Sequence, residues 1–550
     1  MKLFSAITFS IVFLCMNLVA LGPIGTSVVS YDLALQSDNK IVVAGYAAVC
    51  NQSQFMIARY GTNGALDGSL NGTGYATTQF GGYSVANAII IQPLDQKIVA
   101  AGYSDDFIGV VRYTTSGSLD TTFASGGRLS LDIGSSEIAT SLRMQSSKIL
   151  VGGGGIVNEI SQFLMARLTL EGELDTTFGP ESQGYVTTLI GDGANANCIG
   201  EQSNGNLILA GVAVVSGAGH FAVAQYSSSG ILDTTFGTNG VVTTSIDSFA
   251  AGNACTVDSS NRIIVVGYSR TTNSKLAIAR YTSIGELDQT FGIDGITTLE
   301  VPGVETTGYG VAIQNDGKIV VVGTAGEDII VARFTTVGTL DTTFNTTGYV
   351  LTSFGVPSNA YSVAIQPSDQ KIVVVGNIDV SALAIRYNTN GSLDTSFGNS
   401  GISTDPAGSA ELVCGVNTVL NAYGYLYNQN FSVLLNSSTP TPIAFTNNAI
   451  VSNISHDTAT NPEDITFVLD GTYLAQAVVS LTNTDPAVEF ELQLNGSPIG
   501  GTSMPGSSDG TVVLQAQFTV QSNDILNVVE TGLVNTTITG NASITIEKIA

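Results

Sequence analysis

A chain of 550 residues outgrows a single hydrophobic core, so several domains or a repeat array are expected. Only 11% of residues are charged, Trp is absent, and Gly reaches 62 beside abundant Val, Ile, Thr and Ser, a mixture suited to β-structure rather than helices. The formal net charge of −26 excludes nucleic acid and anionic membrane as partners, because phosphates require clustered Lys and Arg; after Arg386 the only basic residue is Lys548.

The chain opens MKLFSAITFSIVFLCMNLVALG, one Lys ahead of a long apolar run with a small residue at Ala20. This pattern predicts a secretory signal over residues 1–20, hence a secreted or cell-surface protein with no membrane span after cleavage, an uncleaved anchor helix being the alternative. The residues before Cys15 are too large for a lipid-attachment site. Cys50, Cys198, Cys255 and Cys414 remain, admitting three pairings that sequence does not separate. They never form a CxxC, and the expected state is buried free thiols, with two disulfides as the alternative.

From residue 40 onward one segment returns: KIVVAG at 40–45, KIVAAG at 97–102, KILVGG at 148–153, NLILAG at 206–211, RIIVVG at 262–267, and KIVVVG at 318–323 and 371–376. The period of about 55 residues suits a four-stranded unit. Between Gly348 and Gly398 the runs GYVLTSF, NAYSVAIQ, KIVVVGN and ALAIRYN are parted by turn-forming clusters such as PSDQ, and no helical period appears. The KIVVVG runs are apolar at consecutive positions rather than alternate ones, so both faces of the strand must be covered. A ring of radially packed sheets supplies that cover. The fold class is therefore all-β, a seven- or eight-bladed β-propeller over 21–435. Seven copies are clear; GISTD at 401–405 either returns to the first copy as a clasp, or 409–435 forms an eighth blade.

Each unit ends in a copy of one octamer: GSLDTSFG at 391–398, with relatives at 64–71, 117–124, 172–179, 230–237, 285–292 and 338–345. The strand before it carries Arg59, Arg112, Arg167, Arg280, Arg333 and Arg386, with Gln225 in the fourth copy. The octamer carries Asp67, Asp120, Asp175, Asp233, Asp288, Asp341 and Asp394. An Arg on a strand covered on both sides needs a carboxylate, since an unpaired buried charge is costly. The Asp of LDTTF is the expected partner, its Thr caps the turn, and its Phe plugs the gap between blades. The motif reads as a structural staple in a blade-to-blade connector, not as catalytic, cofactor-binding or metal-binding residues, since catalysis needs an asymmetric constellation.

The linked order of QPDGKIVVVG-like hairpins, ARY and LDTTFG resembles the delta-60 repeat family of large secreted bacterial proteins over about 28–404. That resemblance implies a propeller-like module and brings no activity; copy four (NLILAG, AQY) and copy one (GSLN) depart from it. A Ser/Thr/Pro-rich linker follows at 436–444. Beyond it, 445–550 reads as a small β-sandwich or jelly roll. Its LDGTY at 469–473, LQLNG at 492–496 and VQSNDILNVVETG at 520–532 resemble the TNF-like, complement-type head, which implies a homotrimer; Asn523 stands where that family has Gly.

The remaining chemistry is sparse. His220 and His456 are the only histidines, in different domains, and there is no HExxH, GxSxG or phosphate loop; VGGGGIV at 151–157 reads as a flexible turn. No cofactor is expected. The functional expectation is a secreted or surface-displayed, non-enzymatic adhesion protein, binding a protein or glycan through loops such as 47–54 and 211–219. A structural coat or fibre-tip component is the first alternative, and a propeller hydrolase or lyase the second.

Overall fold

The computed structural model describes residues 27–48 and 52–404 with their side chains, and Val49 and strands between Tyr423 and Lys548 as backbone. The expected signal segment, Cys50 and Cys414 lie outside the described residues. Two compact units divide at 410/411. All regular structure among the described residues is β.

The first unit is seven four-stranded antiparallel sheets. Blade 1 holds β1 (Val28–Leu35), β2 (Ile41–Val49), β3 (Gln52–Tyr60) and β4 (Tyr75–Thr78). Blade 2 holds β5 (Ser84–Ile91), β6 (Ile98–Ser104), β7 (Phe107–Tyr113) and β8 (Arg128–Leu131). Blade 3 holds β9 (Ser135–Gln145), β10 (Lys148–Val157), β11 (Ile160–Leu168) and β12 (Tyr185–Thr188). Blade 4 holds β13 (Gly193–Glu201), β14 (Leu207–Val215), β15 (Ala218–Tyr226) and β16 (Val241–Thr244). Blade 5 holds β17 (Phe249–Val257), β18 (Ile263–Arg270), β19 (Ser274–Tyr281) and β20 (Ile296–Leu299). Blade 6 holds β21 (Thr306–Ile313), β22 (Ile319–Ala325), β23 (Asp328–Phe334) and β24 (Tyr349–Thr352). Blade 7 holds β25 (Ser358–Ile365), β26 (Ile372–Ile378), β27 (Ser381–Tyr387) and β28 (Ile402–Thr404).

The first strand of each blade packs on the first strand of the next, and β25 packs on β1, so the ring closes after seven. At the closure the Val28 amide donates to the Val380 carbonyl (2.8 Å). Three expectations are corrected. The strand within 401–405 does not return to the first copy: Ile402–Thr404 pairs with β27 of its own blade. Copy one already has its inner strand, Val28–Leu35, and needs no clasp. Nor is 409–435 an eighth blade, since Tyr423–Leu435 pairs with Thr536–Lys548 of the second unit. That pairing also moves the domain boundary from 435 to 410/411.

The KIVVVG strands sit second in each blade, and Ile319–Val322 are buried at every position. Double cover by neighbouring blades is the reason. Their closing Gly has a separate cause. Each inner strand bulges opposite it, as between Gly308 and Gly310, and a Cβ on Gly323 would stand 1.8 Å from the Thr307 carbonyl oxygen. Residues 151–157 are not a flexible turn but the body of β10. There Ile199 and Asn195 of the next blade fill the space that side chains on Gly152 and Gly154 would take.

The second unit contains two antiparallel sheets. One is ordered Asn447–Val451, Tyr423–Leu435, Thr536–Lys548, Gly471–Leu481, Thr511–Val520; the other centres on Asn461–Phe467, Ile525–Glu530 and Glu489–Leu494.

Candidate functional site

The antiparallel course of the strands gives the propeller two faces. The lower face carries the first hairpin of each blade and the long turn between its third and fourth strands; the upper face carries the second hairpin and the link to the next blade.

On the lower face the structure brings the expected Arg and Asp together. Nε of Arg59, Arg112, Arg167, Arg280, Arg333 and Arg386 donates to Oδ2 of Asp67, Asp120, Asp175, Asp288, Asp341 and Asp394 at 2.6–2.9 Å. The same Oδ2 meets a second cation from the hairpin: Lys40, Lys97, Lys148, Arg262, Lys318 or Lys371, at 2.9–3.5 Å. Oδ1 accepts the amide and hydroxyl of the residue two further on, Thr122 against Asp120 for example (3.1 and 2.7 Å). Burial by itself would raise these carboxyls. Against it, the turn hydroxyl and amide with the two cations hold Asp175 and Asp341 at about 2 and Asp67, Asp120 and Asp394 well below the usual range, while Thr290 and Arg280 lower Asp288.

The octamer is not the chain connector between blades. It lies between the third and fourth strands of one blade, as 117–124 lies between β7 and β8, and the links run on the upper face. It joins blades through space. Nη1 of each Arg donates to a carbonyl of the next blade: Arg59 to Thr115 (2.7 Å), Arg112 to Leu170, Arg167 to Ser228 (2.8 Å), Arg280 to Thr336 (2.5 Å) and Arg333 to Thr389 (2.5 Å). Arg386 completes the circle on Thr62 (2.6 Å). The octamer Phe lies under its own guanidinium, 4.4–4.9 Å from centroid, in five blades. Its other face rests on the first Gly of the next octamer. Gly172, at φ +85, has no room for a Cβ, which would meet the Phe123 ring at 2.9 Å.

Blade 4 shows what the charges do. Gln225 replaces the Arg and Asn206 the Lys, so both cations are lost together, and no ion pair to Asp233 exists among the described residues. Gln225 still donates across to Ser283 (3.2 Å), and Asp233 still holds the Thr235 hydroxyl (2.6 Å). The interblade bond survives without charge.

Sequence reasoning missed three layers. The Lys of KIVVVG and the Gln of the hairpin join the staple, as where Gln145 accepts from Arg167 (2.9 Å); their recurrence was the available signal. Further out, the Tyr of ARY reaches Thr on the outer strand of the preceding blade: Tyr113 to Thr78, Tyr226 to Thr188, Tyr281 to Thr244 and Tyr387 to Thr352, at 2.6–2.7 Å. Burial pushes these phenols up. Where the Tyr becomes Leu168, the facing outer strand offers Leu131 within one apolar cluster, and Phe334 likewise meets Leu299.

The third layer rings the channel. The bulge residues of blades 2–5, Asn87, Thr140, Asn197 and Asn253, each donate to a backbone carbonyl of the next inner strand at 2.7–2.9 Å. Blades 6, 7 and 1 place Tyr309, Tyr361 and Tyr31 there, with neighbouring centroids 5.6 and 5.0 Å apart. One residue on, Asp32 accepts from the Ile89 amide (2.9 Å) and the Ser362 hydroxyl (2.7 Å), tying blades 2 and 7 to blade 1; burial outweighs both bonds and pushes its carboxyl up to about 6. Cys198 occupies the same position in blade 4 and is bonded to Cys255 of blade 5. This corrects the expectation of free thiols: adjacent inner strands bring their Cα atoms to 5.6 Å, within disulfide reach.

Of the expected loops, 211–219 shrinks to a two-residue turn at 216–217 between β14 and β15, and 47–54 lies mostly in β2 and β3. His220 lies in β15. No group of three or more His, Cys, Asp or Glu able to hold a metal occurs among the described residues.

The repeat family described as "domain of unknown function (DUF5122) beta-propeller" matches 36–70, 95–123, 145–178, 202–236, 259–291, 314–344 and 368–397, one segment per blade. The chain is a repeat propeller. Each match spans a hairpin, its Arg strand and the octamer, so the propeller repeat coincides with the staple. No curated protein matches the sequence. Similar solved structures include virginiamycin B lyase from Staphylococcus aureus, catalytically inactive and with quinupristin (12% identity, 66% of this chain and 96% of that one, TM-score 0.41). Two others are YCF48 bound to D1 peptide (11%, 66% and 94%, 0.38) and, covering 24% of this chain and 92% of the other, Eiger TNF from S. frugiperda (13%, 0.18).

Proposed function

We propose that the protein is a secreted or surface-displayed, non-enzymatic binding protein, its propeller presenting a protein or glycan ligand site and its C-terminal unit, a TNF-like jelly roll, acting as an oligomerising head. The observation that carries the reading is a division of labour. Repeated charges are consumed pairwise on the lower face, whereas the channel and upper face differ from blade to blade. Binding needs such local asymmetry on a rigid frame. An adhesion role is tested by presenting the full chain to a glycan array and a panel of immobilised extracellular proteins. Saturable retention on at least one surface is expected; no retention on either overturns the reading. For the head, the solution mass should be three times that of the chain, and a monomer overturns trimerisation.

A further inference from the structure

The upper face is acidic and its cations are already engaged. Among the described residues Arg270 and Lys275 are its basic side chains; Arg270 lies 4.8 Å over the Phe249 ring and Lys275 pairs with Asp247 at 3.1 Å. Both stand on blade 5. The upper loops of blades 6 and 7 carry Glu327, Asp328 and Asp379, and no described ion pair involves them. Apolar side chains stand exposed on the same upper loops: Val356 at 38% on the link into blade 7, Val380 at 47% beside Asp379, and Tyr83 at 50% after the outer strand of blade 1. Inside the same sector the bulge position turns aromatic. Tyr309, Tyr361 and Tyr31 form an arc half-buried in the channel wall, and Tyr46 continues it at 6.1 Å from Tyr31. Elsewhere that position holds Asn or Thr spent on interblade bonds.

Carboxylates, exposed apolar groups and stacked aromatic rings share one kind of partner. We infer that the upper face of blades 6, 7 and 1 docks a basic polypeptide segment of a partner protein, its Lys and Arg side chains meeting Glu327, Asp328 and Asp379 and its leading side chain reaching the tyrosine arc. Cations are attracted both to the rim and to the faces of Tyr rings, and a guanidinium also stacks on them. A second copy of this chain is a poor occupant, because its own net charge is −26. The inference rests on the binding reading above and names its partner class.

The test uses the full chain and a fluorescein-labelled peptide of Lys-Leu-Ser repeats, with a Glu-Leu-Ser peptide as control, read by anisotropy at about 0.15 M salt. Saturable binding of the Lys peptide alone is expected. The triple variant Glu327→Gln, Asp328→Asn, Asp379→Asn should weaken it at least about tenfold, while Asp132→Asn, Glu159→Gln, Asp192→Asn, which removes as many charges from blades 2–4, should change it less than about twofold. Equal weakening by both triples, or no saturable binding, overturns the inference; unaltered melting temperatures show that either variant folds. If the Lys peptide fails while a glycan or protein from the panel is retained, the inference falls and the binding reading stands.

Discussion

The two faces of the propeller use the same acidic residue types in opposite ways. On the lower face every blade but the fourth holds its Asp between two cations, at 2.6–3.5 Å, and turns both oxygens inward to the scaffold. On the upper face, Glu327, Asp328 and Asp379 stand on short hairpins without such partners among the described residues. Repetition accounts for the difference. A group that closes the gap between neighbouring sheets is needed once per blade, so it recurs at one offset; a group that meets a partner is needed once per molecule. Periodicity in the sequence therefore marks scaffold, and departures from it mark where to look for function.

The comparison breaks most sharply at the closure. Asp394→Ala leaves the buried Arg386 without a carboxylate, while Lys371 keeps Asp369 (3.6 Å), and should cost about 3–5 kcal/mol, seen as a lower denaturant midpoint. Copying blade 4 by Arg386→Gln with Lys371→Asn should cost clearly less, because the glutamine can still donate to Thr62. Equal losses would mean that the charge, not the interblade bond, holds the blade. Acid titration separates the two kinds of carboxylate. The staple carboxyls bind protons less readily folded than unfolded, so their stabilisation is complete above pH 4 and disappears as pH falls towards 2. Asp32, raised to about 6, has the reverse sign: its folded form holds a proton that the unfolded chain releases, so stability declines as pH rises from about 4 to 6. Asp32→Asn should flatten that upper limb of the melting-temperature profile and leave the acid limb intact.

Next in size is the disulfide. Cys198→Ala with Cys255→Ala removes a cross-link spanning 57 residues of chain and should cost roughly 2–4 kcal/mol by denaturant unfolding, with the ring still closed. A loss of the β-rich circular dichroism would show instead that blades 4 and 5 need the bond to meet at all.

Much of this was legible beforehand because propeller blades impose period-wide demands. Consecutive apolar residues in KIVVVG required two-sided cover, and a recurrent Arg on a covered strand required the Asp of LDTTF. What stayed hidden depended on which residues face each other across blades. The octamer resembles a chain link only when Gly348–Gly398 is taken as one blade; Tyr349–Thr352 belongs to the blade before. Cys198 and Cys255 sit one residue apart in blade register, a proximity that only the packing of inner strands creates. The change from Asn or Thr in blades 2–5 to Tyr in blades 6, 7 and 1 at the bulge is visible as sequence, but its position on the channel is not.

Smaller effects test the outer layer. Thr244→Val leaves the Tyr281 hydroxyl buried without its acceptor and should cost about 1–2 kcal/mol. Adding Tyr281→Phe should recover most of that, since Phe334 facing Leu299 already makes an apolar version of the joint in the next pair of blades.

The smallest change expected is on the upper face, and it decides the comparison. Glu327→Gln with Asp328→Asn removes two carboxylates that no described cation holds, so unfolding free energy should move by less than about 0.5 kcal/mol. A rise within that limit would fit relief of self-repulsion in a chain of net charge −26. A loss as large as that of Asp394→Ala would place these carboxylates in the scaffold and erase the distinction between the faces. Stability unchanged, with affinity for a basic segment lost, separates a residue retained for a partner from one retained for the fold.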